Sequence, residues 1–227
     1  MKGITNMLVF ALILSGCNQN DPANDQRKIK PCTMPVSDTL KNNKPGKVVS
    51  EGDSLIVLDD SLFSDMKLVF HEISGNEFQS YKRRYKANCV LDAGHFISGS
   101  GLFVRNDCNE ICETYLVEKT TNRKMLIPSA YDAGILNMLL SQTCTQFMVC
   151  SSYDGPDFED YYENRAELYL FKILKETGLK GVKPAGQFYT KDWSIEDFTW
   201  VSDKAIALKV YEGNGSDANY RYLKTHL

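Results

Sequence analysis

Asp157-Phe-Glu-Asp-Tyr-Tyr-Glu-Asn-Arg-Ala-Glu-Leu-Tyr-Leu-Phe-Lys-Ile-Leu-Lys-Glu-Thr-Gly178 is the stretch on which the fold class turns. At the helical period it sets Phe158, Tyr162, Ala166, Tyr169 and Ile173 near one face and then meets a glycine, so the spacing predicts a helix over 157–177. Its second half admits another reading. The run 166–174 is apolar enough to be a fully buried strand, and periodicity alone does not separate the two. Upstream, Ser129-Ala-Tyr-Asp132 after Pro128 has the form of a capping box and predicts a second helix reaching about Ser141. Elsewhere, short runs rich in β-branched, aromatic and leucine residues alternate with turn clusters. They fall at 54–58, 67–73, 101–105, 113–119 and 124–127, then at 146–149, 186–189, 195–201, 205–211 and 220–223. Ser202-Asp203-Lys204 between two of these runs predicts a hairpin. The pattern reads as α+β: mainly antiparallel sheet with one or two helices, braced by disulfides.

The 227 residues are 43% hydrophobic, 24% charged and 11% aromatic, an ordinary globular mixture and not a disordered, collagen-like or coiled-coil one. A formal charge of −3 provides no basic field to hold nucleic acid by counterion release, and it excludes a polybasic membrane-surface protein on the same ground. No internal repeat of roughly 20–50 residues appears, so a propeller or solenoid is unsupported.

Near the amino terminus, Lys2 precedes the unbroken apolar run Met7-Leu-Val-Phe-Ala-Leu-Ile-Leu14. As a helix this run would rise about 12 Å, far short of the ~30 Å hydrocarbon core, which makes it a signal h-region and not a span. Leu14-Ser15-Gly16-Cys17 follows directly. That order resembles the lipobox of bacterial lipoproteins. The resemblance implies cleavage before Cys17, a diacylglycerol on its thiol and a further acyl chain, palmitate in kind, on the freed amine. Two or more such chains make anchoring stable. Asn18, standing where an inner-membrane retention signal would place aspartate, implies the outer membrane, facing the periplasm. The expected organisation is a signal peptide at 1–16, a flexible tether at 17–47 and a single periplasmic domain at 48–227. The tether carries Pro22, Pro31, Pro35 and Pro45 among polar residues.

With Cys17 assigned to lipid, Cys32, Cys89, Cys108, Cys112, Cys144 and Cys150 remain. An even number in an oxidising compartment implies up to three disulfides. An extended 144–150 run keeps Cys144 and Cys150 apart yet on one face, so each needs another partner. Cys108 and Cys112 are the natural candidates, which leaves Cys89 with Cys32. A zinc site is the rival reading, but the spacings miss the usual Cys-x2-Cys knuckle. No cofactor and no metal are expected.

The inventory for catalysis is thin. Of the three histidines, only His95 has a catalytic setting, with Asp92, Ser98 and Ser100 nearby. The Gly-x-Ser-x-Gly elbow is absent because Ser98 occupies the position of its first glycine, and Gly99 and Gly101 read more simply as a turn. The sequence favours a non-enzyme.

Ser152–Glu163 is the stronger feature. It gathers five carboxylates and four aromatics, with Tyr153, Asp154, Asp157, Phe158, Glu159, Asp160, Tyr161 and Tyr162 as candidate contacts for a basic protein. A solvated helix start and a calcium loop are the competing readings, and the carboxylates do not follow EF-hand spacing. Tyr81-Lys-Arg-Arg-Tyr-Lys86 is its basic counterpart, expected on an exposed face or paired with those carboxylates.

In architecture and location the chain resembles the immunity lipoproteins of antibacterial secretion systems, including those paired with type VI secretion phospholipase effectors. The resemblance implies a non-enzymatic protein that occludes the active site of an incoming toxin, with the acidic-aromatic stretch at the contact. An envelope-assembly or solute-binding lipoprotein with a concave apolar pocket is the alternative, and a lipid-anchored hydrolase using His95 is a second.

Overall fold

Extended backbone dominates the computed structural model, which describes residues 55–89, 97, 99–108, 112–129, 131, 135–153, 155, 158–174, 178–212 and 218–227. Lys44–Leu227 form one compact unit. In chain order the elements are β1 (Leu55–Ile56), β2 (Ser64–Asp65), β3 (His71–Glu72), α1 (Gly75–Arg84), β4 (Leu102–Cys108), β5 (Cys112–Glu118) and β6 (Lys124–Leu126). There follow β7 (Ile135–Leu140), β8 (Gln146–Ser152), α2 (Phe158–Tyr161), β9 (Ala166–Ile173) and β10 (Val182–Thr190). The chain ends with β11 (Ser194–Ser202), β12 (Ala205–Glu212) and β13 (Asn219–His226). They build three sheets, ordered β1-β6-β5-β4, β2-β10-β9-β8-β7 and β11-β12-β13-β3. The long pairs are antiparallel, and the short β1–β6 and β2–β10 pairs are parallel. The fold is α+β, mainly antiparallel, with two helices and two paired sets of cysteines.

The stretch quoted first is a strand for most of its length. Only Phe158–Tyr161 is helical, and Ala166–Ile173 runs through the middle of the five-stranded sheet, bonded to β8 on one side and β10 on the other. The helix expected over 157–177 is therefore corrected. A strand covered on both faces is apolar without alternation, and such a run mimics the face of a buried helix. Tyr169 and Phe171 pack toward Leu116, Met125 and Phe147, whereas Leu168 and Leu170 pack toward Phe198, Trp200 and Ile206. The five-stranded sheet is thus the middle layer, with one hydrophobic core on each face. Phe147 and Phe171 stack at 4.6 Å in the first core, and Phe63 meets Phe171 edge-on at 5.3 Å. In the second, Trp200 is fully buried and its indole N–H donates to the Leu139 carbonyl at 3.0 Å, tying β11 to β7. Gly178, read as a helix end, takes φ 69° in the turn leading to β10; a left-handed glycine serves a turn as well as a cap.

The helix expected from Ser129 to Ser141 is also corrected, because Ile135–Leu140 is the edge strand β7, with Leu139 opposite Met148 and Leu140 opposite Phe147. Tertiary pairing outweighs the local capping signal. The Ser129 hydroxyl accepts from the Tyr131 N–H at 3.3 Å, two residues on, as a local turn. Of the strand expected at 67–73, only His71–Glu72 pairs. The hairpin at Ser202-Asp203-Lys204 does join β11 to β12.

A helix that the sequence reading omitted covers the outer face of the third sheet. Ser74 caps α1 by accepting from the Glu77 N–H at 3.1 Å, and the last turn carries Lys82, Arg83 and Arg84, which complement the helix dipole. Phe78 is fully buried, 5.4 Å from the Tyr222 ring. Ala207 of β12 is equally buried, and it sits on the side of the strand opposite Ile206 and Leu208. The basic stretch therefore belongs to this helix end. Lys82 pairs with Asp197 of β11, not with the acidic stretch, and Arg84 reaches back to the Ser80 carbonyl at 3.2 Å.

The cysteine pairing also needs correction. Cys89 bonds Cys144, with Cα atoms 6.0 Å apart, and Cys108 bonds Cys112 across the β4–β5 ladder, with Cα atoms 4.0 Å apart. Cys144 sits in the turn before β8 with φ 57°, so the extended geometry assumed for 144–150 does not hold. Cys150 is a buried free thiol facing the second core. Cys17 and Cys32 lie outside the described residues. No helix among the described residues is long and apolar enough to cross a membrane.

Candidate functional site

At the α2 end of the middle sheet, the face that carries the first core changes character. Along β9 that face reads Ile173, Phe171, Tyr169 and Glu167, so apolar side chains give way to a phenol and then a carboxylate. On β10, Gln187 stands opposite Tyr169 and Tyr189 opposite Glu167. These four side chains floor an open cleft of about 620 Å³. Tyr131, Tyr161 and Tyr162 wall it, and Asp60 and Glu163 stand at its margin.

The walls support one another. Tyr131 meets Tyr162 edge-on with centroids 5.0 Å apart, and Tyr153 backs both, at 6.3 Å from Tyr131 and 4.7 Å from Tyr162. The Tyr131 hydroxyl donates to the Asn164 carbonyl at 3.1 Å, which fixes the ring against the segment joining α2 to β9. On the floor, Tyr169 donates to Glu167 Oε2 at 3.3 Å, Tyr189 donates to Gln187 Oε1 at 3.0 Å, and the Tyr169 and Tyr189 hydroxyls are 3.3 Å apart. Phe63 closes the base, edge-on to Tyr169 at 5.2 Å.

Electrostatically the cleft has one sign. Asp60, Glu163 and Glu167 are carboxylates, and among the described residues lining it there is no lysine or arginine. Glu167 is only 3% exposed. Burial, and then the Glu167 charge, push the phenols of Tyr131 and Tyr169 well above the usual tyrosine range. Tyr189 shifts the same way, again chiefly through burial. These rings therefore stay neutral hydrogen-bonding groups at any ordinary pH. A shallower hollow of about 390 Å³ shares Tyr161, Tyr162 and Glu163 and adds Glu159, Asp160 and one cation, Lys191.

Of the residues singled out in the sequence, Tyr161 and Tyr162 reach the cleft, Glu159 and Asp160 lie on its outer shoulder, and Tyr153 stands behind the wall. Tyr161 is 72% exposed. Phe158 opens α2. Asp154 and Asp157 lie outside the described residues, as do His95, Asp92 and Ser98. Ser100 serves a turn: its hydroxyl donates to the Ile97 carbonyl at 2.7 Å and accepts from the Leu102 N–H at 3.1 Å. Among the described residues no group of three or more histidine, cysteine or acidic side chains is arranged to hold a metal.

Sequence reasoning missed Asp60, Tyr131, Glu167, Tyr169 and Tyr189. Glu167 did leave a trace: with Lys172 it is one of two charged residues in the mainly apolar run 166–174, and buried carboxylates are rare without a purpose. Tyr169 follows two residues later, the spacing that puts both on one strand face. No protein family, no curated protein and no solved structure matches the chain.

Proposed function

We propose that this chain is a lipid-anchored envelope protein that binds a protein partner without catalysing a reaction, most economically an immunity protein that neutralises a secreted antibacterial toxin by occluding its active site. The observation that carries the reading is the acidic, tyrosine-walled cleft and the α2 shoulder beside it. Tyrosine supplies rigid contact area at low entropic cost, and clustered carboxylates steer a basic partner to the surface. The outer-membrane address rests on the lipobox order Leu14-Ser15-Gly16-Cys17, which resembles that of bacterial lipoproteins. A type VI secretion phospholipase effector is the partner class that the architecture suggests.

The test is a pull-down of any secreted toxin found encoded beside this chain, comparing wild type with a variant in which Asp154, Asp157, Glu159 and Asp160 are changed to alanine. Retention by wild type and loss by the variant support the reading. Equal retention removes the stretch from the interface, and no retention by wild type removes the immunity assignment.

A further inference from the structure

We propose that the tyrosine-walled cleft receives the guanidinium of an arginine side chain presented by the protein partner. The inference deepens the partner-binding reading and rests on it. Three features of the cleft specify the occupant.

The first is sign. Asp60, Glu163 and Glu167 line the cavity, and no lysine or arginine is among its described lining residues. An anionic group such as a phosphate would be repelled, and an entering cation is attracted from well outside the contact. The second is the aromatic wall. Tyr161, which is exposed, and Tyr162 and Tyr189, which are half-buried, line the cleft beside the buried Tyr131 and Tyr169. Cations are drawn to the faces of such rings, and more strongly where water is excluded. The third is the supply of acceptors. Carboxylate oxygens are joined by Gln187 Oε1 and the Asn164 carbonyl, which accept from Tyr189 and Tyr131 and retain further lone pairs.

Arginine answers all three at once. Its flat guanidinium stacks on a phenol, and its five donors engage carboxylates in a fork. An ammonium is a compact, strongly hydrated charge and stacks less well. The cleft of about 620 Å³ is larger than one side chain, which leaves room for the partner backbone that delivers it. Lys209 over the Tyr220 ring at 4.3 Å is a cation–tyrosine contact that the protein already makes within its own third sheet.

The test titrates the full chain, in detergent, with N-acetyl-arginine methylamide. The neutral isostere N-acetyl-citrulline methylamide, the lysine analogue and tetramethylammonium serve as comparison arms, and binding is followed by tyrosine NMR shifts. The expected result is saturable arginine binding with a Kd on the order of 1 mM, no saturation by citrulline, and weaker binding of both other cations. Tyr162→Leu and Glu163→Gln should each weaken the arginine probe about tenfold, and Glu72→Gln, remote on β3, should leave it unchanged. Glu167→Gln is read only after its thermal unfolding is shown to match wild type; the rim variants carry the test regardless. Failure of the arginine probe to saturate, equal binding by citrulline, tighter binding by tetramethylammonium, or indifference to both rim variants overturns the proposal. Arginine capture without toxin binding removes the partner reading alone. Toxin binding without arginine capture removes this inference alone.

Discussion

Removing the two disulfides one at a time should give unequal losses, and the inequality follows from chain separation alone. Cys89 and Cys144 are 55 residues apart, whereas Cys108 and Cys112 are separated by 4. In the chain-entropy account a cross-link acts mainly on the unfolded ensemble, and its contribution grows with the logarithm of the loop that it closes. The long loop corresponds to about 4 kcal/mol and the short one to about 2 kcal/mol. The native ladder deepens the contrast. Cys108 stands opposite Cys112 at the end of seven registered β4–β5 pairs that hold the hairpin without the bond. Cys89 connects the segment after α1 to the turn between β7 and β8, and its N–H donates to Cys144 Sγ at 2.9 Å. For a unit of this size about 1 kcal/mol moves Tm by about 2–4 °C. The Cys89→Ala/Cys144→Ala variant should therefore melt about 8–16 °C below wild type and Cys108→Ala/Cys112→Ala about 4–8 °C below it. The assay is thermal and urea denaturation followed by circular dichroism, with the urea slope rising in the first variant as its unfolded chain expands. Equal losses, or a larger loss for the hairpin pair, would refute the reasoning.

Three further outcomes follow from the packing. Phe78→Ala, which empties a fully buried site under α1, should cost about 3–5 kcal/mol in urea denaturation, whereas Lys82→Ala, which removes one side of a half-exposed ion pair with Asp197, should cost less than about 1 kcal/mol. Because burial first and the Glu167 charge second raise the phenols of Tyr131 and Tyr169, both are protonated in the folded protein over a range where the unfolded chain loses its protons, above about pH 10. Their contribution is complete below that pH and declines as the pH climbs beyond it, so the share of tyrosinate absorbance that belongs to these two rings should appear only with alkaline unfolding, and Tyr131→Phe should soften the decline. The Cys150 thiol is fully buried and pushed up by desolvation. Peptide mapping after alkylation should find it unmodified in the folded protein and modified in urea; labelling under native conditions would place it at the surface.

The sheet-rich class was legible because runs of β-branched, aromatic and leucine residues between turn clusters mark most strands, and the hairpin before Ala205 was legible from three polar residues between two apolar runs. What misled was burial on both faces. Leu168 and Leu170 serve one core and Tyr169 and Phe171 the other, so β9 lacks the polar alternation that names a strand. Helix α1 went unread although Ser74-Gly-Asn-Glu77 has the capping-box spacing; Gly75 and Asn76 in its first turn are weak helix formers. Gly75 fits for a different reason: a Cβ there would lie 3.0 Å from the Tyr222 ring. The candidate site was half legible. Tyr161 and Tyr162 stood out by local density, but Asp60, Tyr131 and Tyr189 join them only through the β9–β10 register and the packing of distant segments, which no local window contains.

Hydrogen exchange on the chain with and without the toxin partner proposed for it tests the central claim most directly, because it reads the contact on the folded chain without any substitution. The account predicts new protection over 158–167 and 187–189, the α2 shoulder and the floor of the cleft. Protection confined to α1 and the outer face of the third sheet, with those segments exchanging as in the free protein, would contradict it.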